Sequence, residues 1–173
     1  MKVAYLDRDG TISYDYPKEK WPEINHLKLI PGSIEALLKL QEDGYALIIV
    51  TNQHIIGEGI ITEDKYHQVH DELISKLKDH GINILKTFYC PHSKAENCNC
   101  LKPKPGMIEA ALKLYPEIDL NKSLYFGDRM ADLLLAEYFN LPIYFINKEK
   151  NDYSKCINVD SLLEGVNIAL TKD

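Results

Sequence analysis

Lys2-Val-Ala-Tyr-Leu6, followed at once by Asp7-Arg8-Asp9-Gly10-Thr11, is the stretch that decides how this chain folds. The apolar run reads as a short buried strand. Gly10 and Thr11 end it and begin a loop. Carboxylates at i and i+2 point to one side of an extended backbone. At the carboxyl end of a parallel strand, that side faces the ligand crevice of an open α/β sheet. Two like charges so close are costly unless a cation joins them or one takes a proton. Asp7 and Asp9 therefore read as a magnesium site carrying a nucleophile and an acid–base partner, or as a turn in which Asp9-Gly10 reverses the chain.

The whole chain sets the bounds. Its 173 residues, 45% hydrophobic and 27% charged, suit one globular domain spanning residues 1–173. No apolar run reaches the length of a membrane span, and the first residues lack a signal-peptide pattern, so a cytoplasmic location without a membrane partner is expected. A net charge of −6 argues against a nucleic-acid partner. Only two arginines occur, Arg8 and Arg129, each directly after an aspartate, either by chance or so as to place fork-shaped cations where phosphate is read. A monomer is expected.

Further along, Ile12 to Leu29 has no clean period and reads as a flap over the crevice. A helix begins at Pro31-Gly32-Ser33, with Ser33 as its cap, and ends at Gly44. Tyr45 to Val50 is a second buried strand running into Thr51-Asn52-Gln53. After a glycine-containing loop, Thr62 caps an amphipathic helix that ends at Gly81, with Tyr66, Val69, Leu73 and Leu77 on its inner stripe. His67 and His70 on that helix are expected at the surface. Ile84 to Tyr89 is a third strand. A helix spans about 105–115, and Ser123 to Phe126 is a fourth strand. A helix at 131–139, a fifth strand at 141–146, a polar loop and a last helix opened by Ser161-Leu-Leu-Glu164 follow. This alternation predicts a doubly wound, mainly parallel sheet covered on both faces.

In that layout several strand ends carry chemistry. Strand one gives Asp7 and Asp9, strand two Thr51 and Asn52, strand four Asp128, and the loop after strand three gives Lys102. Carboxylate oxygens suit Mg²⁺. A nucleophile, a metal and donors for equatorial oxygens are what phosphoryl transfer needs. Each residue alone could be a cap or a strand stop; four strand ends with these residue types point to one site.

The chain resembles the haloacid dehalogenase (HAD) superfamily of phosphatases. The resemblance rests on Asp7-Arg-Asp-Gly-Thr11, Thr51-Asn-Gln53, Lys102-Pro-Lys-Pro105 and Gly127-Asp-Arg-Met-Ala-Asp132, in family order. It implies a Rossmann-like HAD fold in which Asp7 attacks phosphorus, and in which Asp9 protonates the leaving alcohol and then activates water. It implies Mg²⁺ held by Asp7, the backbone carbonyl of Asp9, and Asp128. Thr51, Asn52 and Lys102 would bind the phosphoryl group. Asp132 would orient the lysine or a metal-bound water. Lys102, directly before Pro-x-Pro, takes the lysine role, leaving Lys104 as a surface charge.

Cys90, His92, Cys98 and Cys100 offer three sulfurs and an imidazole within eleven residues, a set suited to structural Zn²⁺ in the loop after the third strand. Tyr89-Cys-Pro-His92 and Cys98-Asn-Cys-Leu-Lys-Pro-Lys-Pro-Gly-Met107 resemble the branch of histidinol-phosphate and D-glycero-D-manno-heptose 1,7-bisphosphate phosphatases, small enzymes without a large cap domain. Cys156 reads as a buried small hydrophobe. Two places depart from the branch. Leu101 stands where the heptose enzymes commonly have an arginine, and the turn after Gln53 reads His54-Ile-Ile-Gly-Glu-Gly59. Asp15, Gln53, His54 and Arg129 are the candidate substrate contacts, and the expected partner is a small phosphorylated metabolite. Heptose bisphosphate is the first expectation and histidinol phosphate the alternative. A polynucleotide 3′-phosphatase and a non-catalytic zinc-stabilised binding module are more distant readings.

Overall fold

The computed structural model describes residues 1–171. Six parallel strands form one sheet: β1 (Val3–Leu6), β2 (Ala46–Asn52), β3 (Ile84–Cys90), β4 (Leu124–Gly127), β5 (Ile143–Phe145) and β6 (Cys156–Asn158). Their order is β3-β2-β1-β4-β5-β6. This is the doubly wound arrangement, and the winding reverses between β1 and β4, where such sheets open a crevice at their carboxyl ends. The helices are α1 (Ser33–Glu42), α2 (His54–Gly57), α3 (Glu63–Asp79), α4 (Gly106–Leu114), α5 (Met130–Tyr138) and α6 (Leu162–Leu170). Among the described residues no large cap interrupts them.

Strand parity builds the two cores. Ala4 and Leu6 of β1 join Leu47, Ile49 and Phe126 in a cluster closed by α1, α3 and α6. Val3 and Tyr5 face the other way, joining Ile48, Val50 and Tyr125 under α4 and α5. Every side chain of β1 is buried. That is the expected pattern for a central parallel strand covered on both faces.

Several details differ from the sequence reading. The Ile12–Leu29 flap contains a 3₁₀ turn at Lys18–Glu23, and Ile12, Trp21 and Leu27 anchor it in the core. Gly32, not Ser33, caps α1; Ser33 is its first residue and donates its hydroxyl to the Ile12 carbonyl at 2.9 Å, tying the flap to the helix. The turn after Gln53 is the short helix α2. A sixth strand, β6, follows the polar loop, and Cys156 lies half-exposed on it, not buried. Thr62 does cap α3, its hydroxyl accepting from the Lys65 N–H at 3.1 Å. No helix among the described residues is long and apolar enough to cross a membrane.

Candidate active site

Asp7 continues β1 by one residue: its N–H donates to the Phe126 carbonyl of β4 at 2.9 Å. That bond holds the carboxylate at the reversal point of the sheet. Lys102, after the cysteine loop, reaches in from the α4 side. Its Nζ donates to Asp7 Oδ1 at 2.7 Å, Asp132 Oδ1 at 2.6 Å and the Val50 carbonyl at 2.8 Å. The three ammonium protons are thus all used. Asp132, in the first turn of α5, is fully buried. It also accepts from Tyr125 Oη at 2.8 Å and from the Arg129 N–H at 3.0 Å. It therefore orients the lysine.

Charge does not balance among these groups. Asp7, Asp128 and Asp132 bring carboxylate oxygens within 4.8 Å of one another. Lys102 is the buried cation bonded to Asp7 and Asp132, and Arg129 Nε stands 3.6 Å from Asp128 Oδ2 at the rim. Burial raises the Asp7 carboxyl well above its usual range, and Asp132 and Asp128 add to this against the opposing pull of Lys102. Burial, then neighbouring Asp132, pushes Asp128 up to about 6. Asp128 Oδ1 is buried with no hydrogen-bond partner. An orphaned carboxylate oxygen beside two more carboxylates is a fitting place for a hard dication. Gly10 makes room for the Asp128 carboxylate: at φ 90°, a Cβ there would collide with Asp128 Oδ2.

Asp9 is turned away from that cluster. Arg8 Nε donates to its Oδ1 at 2.9 Å and Nη2 to its Oδ2 at 3.0 Å. Gln53 Nε2 donates to Oδ2 at 2.9 Å and also to Thr51 Oγ1 at 2.9 Å. Gln53, expected at the substrate, is buried and spends its amide on these two residues. Arg8, expected to read phosphate, is 1% exposed and holds Asp9 instead. Thr51 is buried at the end of β2. Asn52 clamps the Lys102 backbone from both sides: Nδ2 donates to its carbonyl at 3.2 Å, and Oδ1 accepts from its N–H at 2.8 Å.

The crevice mouth is lined by ion pairs. Arg129 Nη2 meets Asp15 Oδ2 of the flap at 2.6 Å, and Lys18 Nζ meets Glu58 Oε2, just after α2, at 2.8 Å. His54 opens α2 beside Glu58 and Lys18, and burial lowers its pKa.

Cys90, His92, Cys98 and Cys100 converge as the sequence suggests, their ligand atoms within 4.8 Å of one another. Cys90 Sγ lies 3.0 Å from Cys100 Sγ and 3.5 Å from Cys98 Sγ, and His92 Nδ1 lies 3.2 Å from Cys100 Sγ. All four cysteines of the chain are free thiols. Edges of this size approach the tetrahedron of about 3.8 Å that Zn–S bonds of about 2.3 Å would span. Burial raises the Cys90 thiol. At Cys98 burial is outweighed by the N–H groups of Leu101 and Cys100, leaving it pushed down to about 7. Lys104 is exposed and braces this loop, donating to Asn97 Oδ1 and the Cys98 carbonyl.

Residues 2–160 match the family described as polynucleotide kinase 3 phosphatase. The chain belongs to the HAD phosphatase superfamily. Within it, this phosphatase is 40% identical over 129 residues to a probable D-glycero-D-manno-heptose-1,7-bisphosphate 7-phosphatase of Thermoplasma volcanium, covering 75% of this chain and 86% of that one. It is 40% identical over 142 residues to the D-glycero-β-D-manno-heptose-1,7-bisphosphate 7-phosphatase of Pasteurella multocida, covering 79% and 76%. A bifunctional histidine-biosynthesis protein of Campylobacter jejuni is 34% identical over 138 residues, 79% of this chain and 39% of that one. The fold matches the D,D-heptose 1,7-bisphosphate phosphatase of B. bronchiseptica, solved with magnesium and phosphate, over the whole of both chains, with a TM-score of 0.87 at 23% identity.

Two site residues of this phosphatase escaped the sequence reading. One is Arg8 in its bracing role. The other is His70, expected at the surface but buried against Arg8, with Nδ1 3.3 Å from Arg8 Nη1 and Nε2 3.0 Å from Thr87 Oγ1. Strand parity carried the signal for Arg8, and the inner stripe of α3 that for His70. If Asp7 and Asp9 face the crevice, Arg8 faces the core under α3, and a buried guanidinium needs partners there.

Proposed function

We propose that this phosphatase is a phosphomonoester hydrolase of a small sugar phosphate, D-glycero-D-manno-heptose 1,7-bisphosphate first among them. The supporting observation is the convergence of Asp7, Asp128 and Asp132 on Lys102, with Asp9 held apart from them by Arg8 and Gln53. Asp7 supplies the nucleophile: its oxygen bonds to phosphorus as the bond from phosphorus to the sugar oxygen breaks, giving an aspartyl-phosphate. Asp9 gives the departing oxygen its proton, then takes one from the water that opens the aspartyl-phosphate. Lys102 and Thr51 bind phosphoryl oxygens, and Lys102 fixes the plane of the Asp7 carboxylate. Asn52 sets the position of Lys102 through the backbone.

Asp7, Asp128 and the Asp9 carbonyl would hold Mg²⁺, which supplies charge neutralisation for the phosphoryl group when bound. Cys90, His92, Cys98 and Cys100 would hold Zn²⁺, closing a loop whose cysteines pack against the core under α4. Asp15, His54 and Arg129, at the mouth, are the groups placed to meet the rest of the substrate.

A panel of phosphorylated metabolites assayed with Mg²⁺ tests this reading, with Asp7→Asn as the blank. It should hold heptose bisphosphate, histidinol phosphate, other sugar phosphates and a 3′-phosphorylated oligonucleotide. The reading expects the highest kcat/KM on a sugar phosphate. Preference for the oligonucleotide would overturn the substrate class, and turnover by Asp7→Asn would overturn the mechanism.

A further inference from the structure

Arg8 sits in a more elaborate setting than an ion pair needs. Besides its two bonds to Asp9, its Nη1 approaches His70 Nδ1 at 3.3 Å. A guanidinium has only donors, so Nδ1 must be the acceptor, and the ring proton rests on Nε2, which donates to Thr87 Oγ1 of β3. Burial, then the neighbouring Arg8 charge, pushes His70 down to about 3, in keeping with a neutral ring. Tyr66 stacks on His70, ring centroids 5.3 Å apart at 12°, and lies 5.4 Å from the Arg8 guanidinium carbon. Trp21 of the flap lies 5.8 Å from that carbon. A chain of fixed contacts therefore runs from β3 through α3 to Asp9, with the flap closing over it.

We propose that Arg8 is a positioning residue for the acid–base group Asp9, and that His70, with the rings of Tyr66 and Trp21, holds Arg8 for that task. The proposal rests on the aspartyl-phosphate reading above. Asp9 stands where the strand gives way to a loop, next to Gly10 at φ 90°, and its backbone alone would leave the carboxylate free to rotate. The Arg8 fork, bonded to both oxygens, removes that freedom, with Gln53 Nε2 adding a single bond to Oδ2. A misplacement of about 1 Å in a reacting group can cost about 100-fold in rate.

The test separates proton transfer from general damage. Nitrophenolate leaves without needing a proton, whereas a sugar alkoxide needs one; opening of the aspartyl-phosphate needs Asp9 with either substrate. Arg8→Lys keeps the cation and loses the fork. On heptose bisphosphate it should lower kcat by about 10- to 100-fold, a part of the roughly 100- to 10,000-fold that acid–base catalysis supplies, with KM unchanged. On p-nitrophenyl phosphate the first-turnover burst should keep its wild-type rate while later turnover slows. His70→Leu should act in the same direction more weakly, and His70→Gln, which keeps an acceptor and a donor, should restore activity. A burst that falls in step with kcat, or no change in either rate, overturns the proposal. Should circular dichroism show Arg8→Lys unfolded, the His70 pair decides by the same criteria. Inversion of configuration at phosphorus on a chirally labelled substrate, where two successive displacements give retention, overturns the aspartyl-phosphate reading itself, and this proposal with it.

Discussion

Lys102 Nζ stands 2.6 Å from Asp132 Oδ1, and both side chains are almost wholly buried. Burial favours the neutral lysine, but Asp132 and Asp7 outweigh it and raise the pKa above the usual range. The pair is thus held as ions. Removing one partner strands the other, at a cost of about 3–5 kcal/mol for buried pairs. Lys102→Met should therefore lower the melting temperature as well as abolish turnover, since it leaves Asp7 and Asp132 without their shared cation. Asp132→Asn should keep more of the fold and lower kcat. Equal melting temperatures for wild type and Lys102→Met would argue that the lysine is unpaired in solution.

Gly10→Ala tests the room left for Asp128. A methyl group there collides with Asp128 Oδ2, and the backbone φ of 90° adds a penalty of about 1–2 kcal/mol for an L-residue. The expected result is a chain that still folds but needs far more Mg²⁺ for half-maximal activity. An unchanged Mg²⁺ requirement would separate Asp128 from the metal.

His70 gives a pH signature. Its pKa in the folded chain, about 3, lies below the ordinary histidine value. Above about pH 6.5 the ring is neutral folded and unfolded, and contributes nothing to pH dependence. As pH falls below that, the unfolded chain binds a proton that the folded chain refuses. Stability then drops by up to about 1.4 kcal/mol per pH unit from this group. Wild type and His70→Gln should therefore show the same pH trend in stability above pH 7 and diverge on acidification, the wild type losing more. Parallel curves down to pH 4 would mean that His70 is accessible to protons.

Cys98→Ser should lower zinc content and melting temperature together. Activity per folded molecule should change far less, because the loop meets the site through the backbones of Lys102 and Gln53 and not through a reacting group. A normal melting curve in a zinc-free protein would show that the loop needs no metal.

Much of this was legible along the chain because the groups sit where the backbone changes state. Asp7, Thr51 and Asp128 each end an apolar run, so a parallel sheet brings them to one edge. Cys90 to Cys100 are close in sequence, and their convergence needs no long-range argument. Arg8 and Gln53 were misplaced because charge and polarity suggested solvent or substrate, while the alternation of β1 turned Arg8 into the core and Asp9 gave both of them a partner. His70 falls on the inner stripe with Tyr66, Val69 and Leu73, but its polarity suggested the surface; the site supplies its bonds through Arg8 and Thr87. Strand β6 is three residues long at the sheet edge, too short to show a period.

The central claim is that Asp7 carries the phosphoryl group during turnover. Acid-quenching the enzyme within its first turnover on labelled substrate and mapping the label by peptide mass spectrometry tests this directly. Phosphate on Asp7, present only with Mg²⁺ and missing from Asp7→Asn, is the predicted result. Label on another residue, or undiminished turnover by Asp7→Asn, would contradict it.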